Sequence, residues 1–150
     1  MKIFVIITAL LLVTGCSLIP ENIDLSTPSL PAGVTTMDEA FRWMKDNITY
    51  TKDSPADNWQ SPMETYSKRT GDCEDFSILA VAWADLMGLP ATFVFVKIGD
   101  NAAHAIVRVD GVLYEPQIGF IYTRWPDNWN IAYEADHSKI LGILQNHRSY

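Results

Sequence analysis

The sequence predicts an α+β protein, with helices first and a small antiparallel sheet after them. Three observations predict it. Apolar residues recur at helical spacing twice before residue 88. A β-branched and aromatic run then begins at Thr92. An Asp-Gly pair at 110–111 sits between two segments of alternating pattern. Helical segments grouped ahead of the strands, rather than alternating with them, give this class. At 150 residues, 48% hydrophobic and 19% charged, the chain fits one domain and is too apolar to be disordered.

Residues 1–15 (MKIFVIITALLLVTG) precede the fold. Lys2 is followed by an apolar run interrupted only by Thr8. The run falls short of the roughly 20 residues that span a bilayer and ends in small residues, the pattern of a secretory signal. Val13-Thr14-Gly15-Cys16 resembles a bacterial lipobox, in which Cys16 becomes the acylated first residue of the mature chain; the plainer alternative is an ordinary signal with a chance cysteine. Ser17 is compatible with outer-membrane sorting, so the expected location is the cell envelope, lipid-anchored. Residues 16–34 carry three prolines and no helical period, and read as an extended tether. The folded domain is expected over residues 35–150.

Thr36 and Glu39 form a capping box ahead of Met37, Ala40, Phe41, Met44 and Ile48, so a helix is expected over 37–48. Residues 50–69 read as loop, with a short helix after Pro62. A second long helix runs over 73–87 with Phe76, Leu79, Ala80, Trp83 and Met87 as its apolar stripe, Asp72 as N-cap, and Gly88 and Pro90 as its end. Residues 92–98 form a strand, 103–109 a second, and 112–116 its hairpin partner across Asp110-Gly111. Beyond Gly119 the pattern assigns only a short helix over 138–146.

The net charge of −7 argues against binding a phosphate backbone. Two cysteines cannot make a disulfide scaffold or a four-cysteine zinc site. With Cys16 taken by lipid, Cys73 is a lone thiol in an exported protein. It falls in the first turn of a helix, where backbone N–H groups and the helix dipole favour thiolate. Glu74 and Asp75 oppose this, and the sequence does not settle which wins. His104 lies on the second expected strand. With Asp110-Gly111 as the turn, Val109 pairs with Val112 and Ile106 with Glu115. Alternation then puts His104, Ile106 and Glu115 on one face, and His104 and Glu115 become diagonal neighbours. A thiol, an imidazole and a carboxylate are the three parts of a nucleophilic triad.

GDCEDFS at 71–77, AHAIV at 103–107 and DGVLYEPQ at 110–117 together resemble the transglutaminase-like superfamily, in the manner of its bacterial cysteine peptidases. WQSPME at 59–64 resembles the segment those proteins carry ahead of the cysteine. The resemblance covers about residues 38–120. It implies a papain-like core with the cysteine helix packed on the sheet. It also implies Cys73 as nucleophile, His104 as general base and acid, and Glu115 as orienting acid, where many members have aspartate. An acyl-enzyme route follows, with the Cys73 N–H and Gln60 as oxyanion donors. No cofactor is required by such chemistry. Some relatives hold calcium beside the cysteine, for which Asp72, Glu74 and Asp75 are ligands of the right type, although a helix cap, with Asp72 capping and Asp75 completing the box, is the preferred reading. His137 and His147 lack ligand partners at useful spacing. Trp59, Trp125 and Trp129 are candidates for a cleft wall, though packing explains any one of them. The implied activity is hydrolysis of a protein or peptide amide in the envelope. Transamidation or deamidation by the same triad, and a catalytically silent binding module, are the alternatives.

Overall fold

Helix α1 (Met37–Asn47) starts on its capping box: the Glu39 N–H donates to the Thr36 hydroxyl at 3.3 Å, and the Thr36 N–H donates to the Glu39 carboxylate at 3.1 Å. A computed structural model of the chain describes residues 23–54, 57–100 and 102–147, and for His147 the backbone alone. The signal segment and Cys16 lie outside the described residues. After α1 the dipeptide strand β1 (Thr49–Tyr50) leads to a loop. Helix α2 (Pro62–Lys68) follows it, the short helix expected after Pro62, with its own capping box from Ser61 to Glu64. Arg69 ends α2 in the left-handed region. Strand β2 (Thr70–Gly71) then pairs in parallel with β1, Thr49 against Thr70.

Helix α3 (Cys73–Leu86) is the centre of the molecule. The sequence predicts one apolar stripe, but every residue from Glu74 to Ala84 is buried. The reason is its surroundings: α1, α2, helix α4 (His137–His147) and the sheet all pack on it. Strands β3 (Ala91–Ile98), β4 (Ala102–Val109), β5 (Val112–Glu115), β6 (Phe120–Tyr122) and β7 (Trp129–Ala135) form one antiparallel sheet in the order β6-β5-β4-β3-β7. The Asp110-Gly111 turn has both residues at positive φ, +48° and +81°, as a type I′ hairpin requires, and it sets the register Val109↔Val112. β6 and β7, which the pattern beyond Gly119 does not reveal, close the two edges.

The sheet has two unlike faces. Phe93, Ala105, Val107 and Val109 face the helices and join Phe41, Phe76, Leu79 and Trp83 in the main core. Val94, Val96 and Ile106 face the other way, beneath Tyr122, Trp125 and Trp129. Among the described residues no helix is long and apolar enough to cross a membrane.

Residues 23–34 correct the expectation of a free tether. They carry no helix or strand, as Pro28 and Pro31 favour, and turn once at 32–33, but they are seated on the domain. The Trp83 indole N–H donates to the Pro28 carbonyl at 3.0 Å, and the Ser61 hydroxyl donates to the Asp24 carbonyl at 2.7 Å. Val34 is buried, and Leu25 and Leu30 pack against the core. The folded body therefore starts earlier than residue 35.

Candidate active site

The start of α3 is fixed by Asp75. Its carboxylate accepts from the Gln60 N–H at 2.7 Å, the Gln60 side-chain amide at 2.9 Å and the Asp72 N–H at 3.1 Å. Burial pushes this carboxyl up to about 7 against the pull of those donors. The chain approaches it so closely that a Cβ on Gly71 would lie 2.7 Å from Asp75 Cβ. This is why a glycine precedes the helix.

Cys73 follows in the first turn, half-buried and free of any disulfide. Its thiol donates to Glu74 Oε2 at 3.1 Å. The Ala105 N–H of β4 faces the sulfur and favours thiolate. That N–H is available because β4 pairs with β5 only from Val107 onward, which leaves the start of the strand open on that side. The thiol nevertheless stays well above the usual range, through burial first and then the charge and hydrogen bond of Glu74. Burial and Glu74 together outweigh the Ala105 donor.

His104 precedes Ala105 and points to the other side of β4, opposite Val96. Its Nε2 meets Glu115 Oε2 at 2.5 Å. The diagonal relation expected from the hairpin is the one observed. Nδ1 is left for a second partner. The Tyr122 hydroxyl also donates to Glu115 Oε2, at 3.1 Å, and the Trp129 ring stands edge-on to the imidazole with centroids 5.8 Å apart. Trp125 joins Trp129 by its indole N–H, which donates to the Trp129 carbonyl at 2.9 Å. Trp59 lies elsewhere, against Phe93 and Phe95 on the helix side.

Two expectations change. Gln60 holds no free donor for an oxyanion: one amide hydrogen goes to the Thr70 carbonyl and the other to Asp75. Asp75 is likewise withdrawn from the expected calcium set, because both its oxygens are engaged by Gln60 and Asp72. Asp72 instead converges with Asp53 and Asp57, whose ligand oxygens lie within 4.8 Å of one another. Asp72 Oδ1 is buried with no partner among the described residues. Beside them burial and contacts with Asp57 and Asp72 push the Glu74 carboxyl up to about 9. No sequence pattern marks Asp53, Asp57 or Tyr122. The aspartates belong to a loop without period, and Tyr122 to a three-residue strand.

The remaining histidine whose side chain is described, His137, contacts Asp85 at 2.9 Å and Thr27 at 3.4 Å, remote from this cluster in the fold.

Helices packed on one face of an antiparallel sheet, with a cysteine opening the central helix, define a class. The family model of the transglutaminase-like superfamily matches residues 26–124, more than half the chain, and the chain belongs to that superfamily. No curated protein matches it. Among solved structures, LapG of Legionella pneumophila is similar at 19% identity and a TM-score of 0.59, over 75% of this chain and 77% of that one. Its calcium-bound form is similar at 18% identity and a TM-score of 0.55, over 67% and 63%. A candidate cysteine protease from Cytophaga hutchinsonii is similar at 17% identity and a TM-score of 0.50, over 67% of this chain and 36% of that one. The chain thus spans little more than a third of the Cytophaga protein. At these identities the likeness is one of fold.

Proposed function

We propose that the chain is a thiol hydrolase of the cell envelope, held at the membrane by a lipid on Cys16, that cleaves an amide in a protein or peptide. The observation that carries this reading is the His104–Glu115 bond, one residue from the Ala105 N–H that faces a lone thiol at a helix N-terminus. Cys73 gives its proton to His104 and attacks the carbonyl carbon. The oxyanion is met by the Cys73 N–H, which as a first-turn donor has no helical acceptor. The C–N bond breaks, the leaving amine takes the proton from the imidazolium, and a thioester remains. Water, deprotonated by His104, then releases the acid and restores the thiol. Glu115 holds the imidazole and stabilises its charged form throughout.

The acidic cluster suits a divalent cation of the calcium type. Hard carboxylate oxygens converge, and one of them, on Asp72, is buried without a partner. Asp53, Asp57 and Asp72 would hold the ion, with Glu74 alongside. The calcium-bound form of the similar LapG supports this assignment. A bound cation would supply positive charge beside Cys73, where the described residues offer carboxylates.

The Cys73–Glu74 hydrogen bond favours a second reading, a binding module whose thiol stays protonated. Alkylation by iodoacetamide at neutral pH, with calcium present, decides between them. The hydrolase is expected to react quickly at Cys73, and His104→Ala to slow it by at least about tenfold. A Cys73 that resists the reagent in the folded protein would overturn the hydrolase. Mass spectrometry of envelope proteins then separates new termini from deamidated or crosslinked glutamine.

A further inference from the structure

We propose that Tyr122 is a positioning residue for the His104–Glu115 pair, its hydroxyl meeting the carboxylate oxygen that the imidazole also meets. The inference rests on the hydrolase reading of the same site. Tyr122 Oη and His104 Nε2 converge on Glu115 Oε2 at 3.1 and 2.5 Å, while Glu115 Oε1 is buried with no partner among the described residues. One donor on one oxygen leaves a carboxylate free to turn about its last bond. Two donors from different directions fix both the oxygen and the plane. Glutamate needs this more than aspartate does, because it has one more rotatable bond.

The tyrosine is itself held. β6 pairs with β5 in the register Glu115↔Phe120 and Leu113↔Tyr122, which sets Tyr122 diagonally across from Glu115 on the same face. Its ring stands between Phe120 and Trp129, each with its centroid 5.2 Å away, and Trp129 in turn contacts His104. Burial and the Glu115 charge raise the phenol above its ordinary range, so it keeps its proton at neutral pH and remains a donor. The assembly keeps His104 in the Nε2–H form, with Nδ1 bare for the thiol.

The test is the rate of Cys73 alkylation by iodoacetamide in four full-length proteins: the parent, Tyr122→Phe, Glu115→Gln and the double variant. Tyr122→Phe is expected to slow the reaction about fivefold to tenfold, the loss of one hydrogen bond to a charged group. In the Glu115→Gln background the same change is expected to alter the rate by less than about twofold, because its route of action is gone. Nitrogen NMR of the His104 ring is expected to show the Nε2–H tautomer dominant in the parent and diminished in Tyr122→Phe. Phe120→Ala, which strips packing from the same ring without touching the hydroxyl, is expected to leave the tautomer unchanged. An equal loss in both backgrounds, or an unchanged tautomer in Tyr122→Phe, would overturn the role. If His104→Ala does not slow alkylation, the hydrolase reading falls and this role with it. If His104→Ala slows it and Tyr122→Phe does not, only Tyr122 is misassigned.

Discussion

Asp75 decides where Cys73 sits. Its carboxylate takes three N–H donors, two of them from Gln60, which is 15 residues away in the chain. Removing it leaves buried donors on Gln60 and Asp72 without acceptors. Asp75→Ala is therefore expected to destabilise the protein by about 2–4 kcal/mol, measured by urea unfolding, and to slow Cys73 alkylation through misplacement of α3. Gly71→Ala reports on the same joint. The added methyl would meet Asp75 Cβ at 2.7 Å, and a loss of about 1–3 kcal/mol is expected in thermal or urea unfolding. The parts of the site that are local in sequence were legible from it. The Asp-Gly turn fixes a register, the register fixes a face, and His104 and Glu115 meet on it. Gln60 and Asp75 were legible as residues but not as partners. A hydrogen bond across 15 residues leaves no periodic trace, and each side chain taken alone suits an oxyanion hole or a calcium site equally well.

At the scale of elements, helices were easier to read than edges. The Thr36–Glu39 box announced α1 at its first residue, since a cap is a contact three residues long. β6 and β7 were silent. One has three residues, and the other (WNIAYEA) is largely exposed along an edge, so neither shows a clean alternation. The segment 23–34 misled for a different reason. Proline-rich chain is extended whether it floats or lies on a surface, and composition does not distinguish the two. What seats it is Trp83, wholly buried in α3 and bonded to the Pro28 carbonyl. Trp83→Phe removes the donor and leaves that carbonyl unpaired. An overall loss of about 2–3 kcal/mol is expected, with hydrogen exchange rising first at residues 23–34. Uniform exchange throughout the chain would show that the segment and the domain open together.

In the whole molecule the two faces of one sheet carry different residues. The helix side buries the main core, and the far side carries His104, Glu115 and Tyr122 beneath Trp125 and Trp129. Cys73 lies at the open start of β4, near the Ala105 N–H; the family resemblance implies a cysteine helix packed on the sheet but does not say at which strand. Four carboxylates gather at the same place, and the cation proposed for them has a global readout. Calcium is expected to raise the melting temperature by at least about 4 °C relative to EGTA, and Asp72→Asn to abolish the rise. Identical melting curves with calcium and with EGTA would remove the cation from the proposal.

The docked segment also sets a length. If Cys16 carries the acyl chain, the first described residue, Ile23, follows seven peptide units later, and a fully extended chain of that count reaches at most about 25 Å. Because residues 23–34 are bound to the domain and not paid out as slack, the body would swing within less than its own diameter of the lipid surface. Targets would then be selected first by altitude: amides displayed close to the bilayer come within range, and those held farther out stay beyond it whatever their sequence.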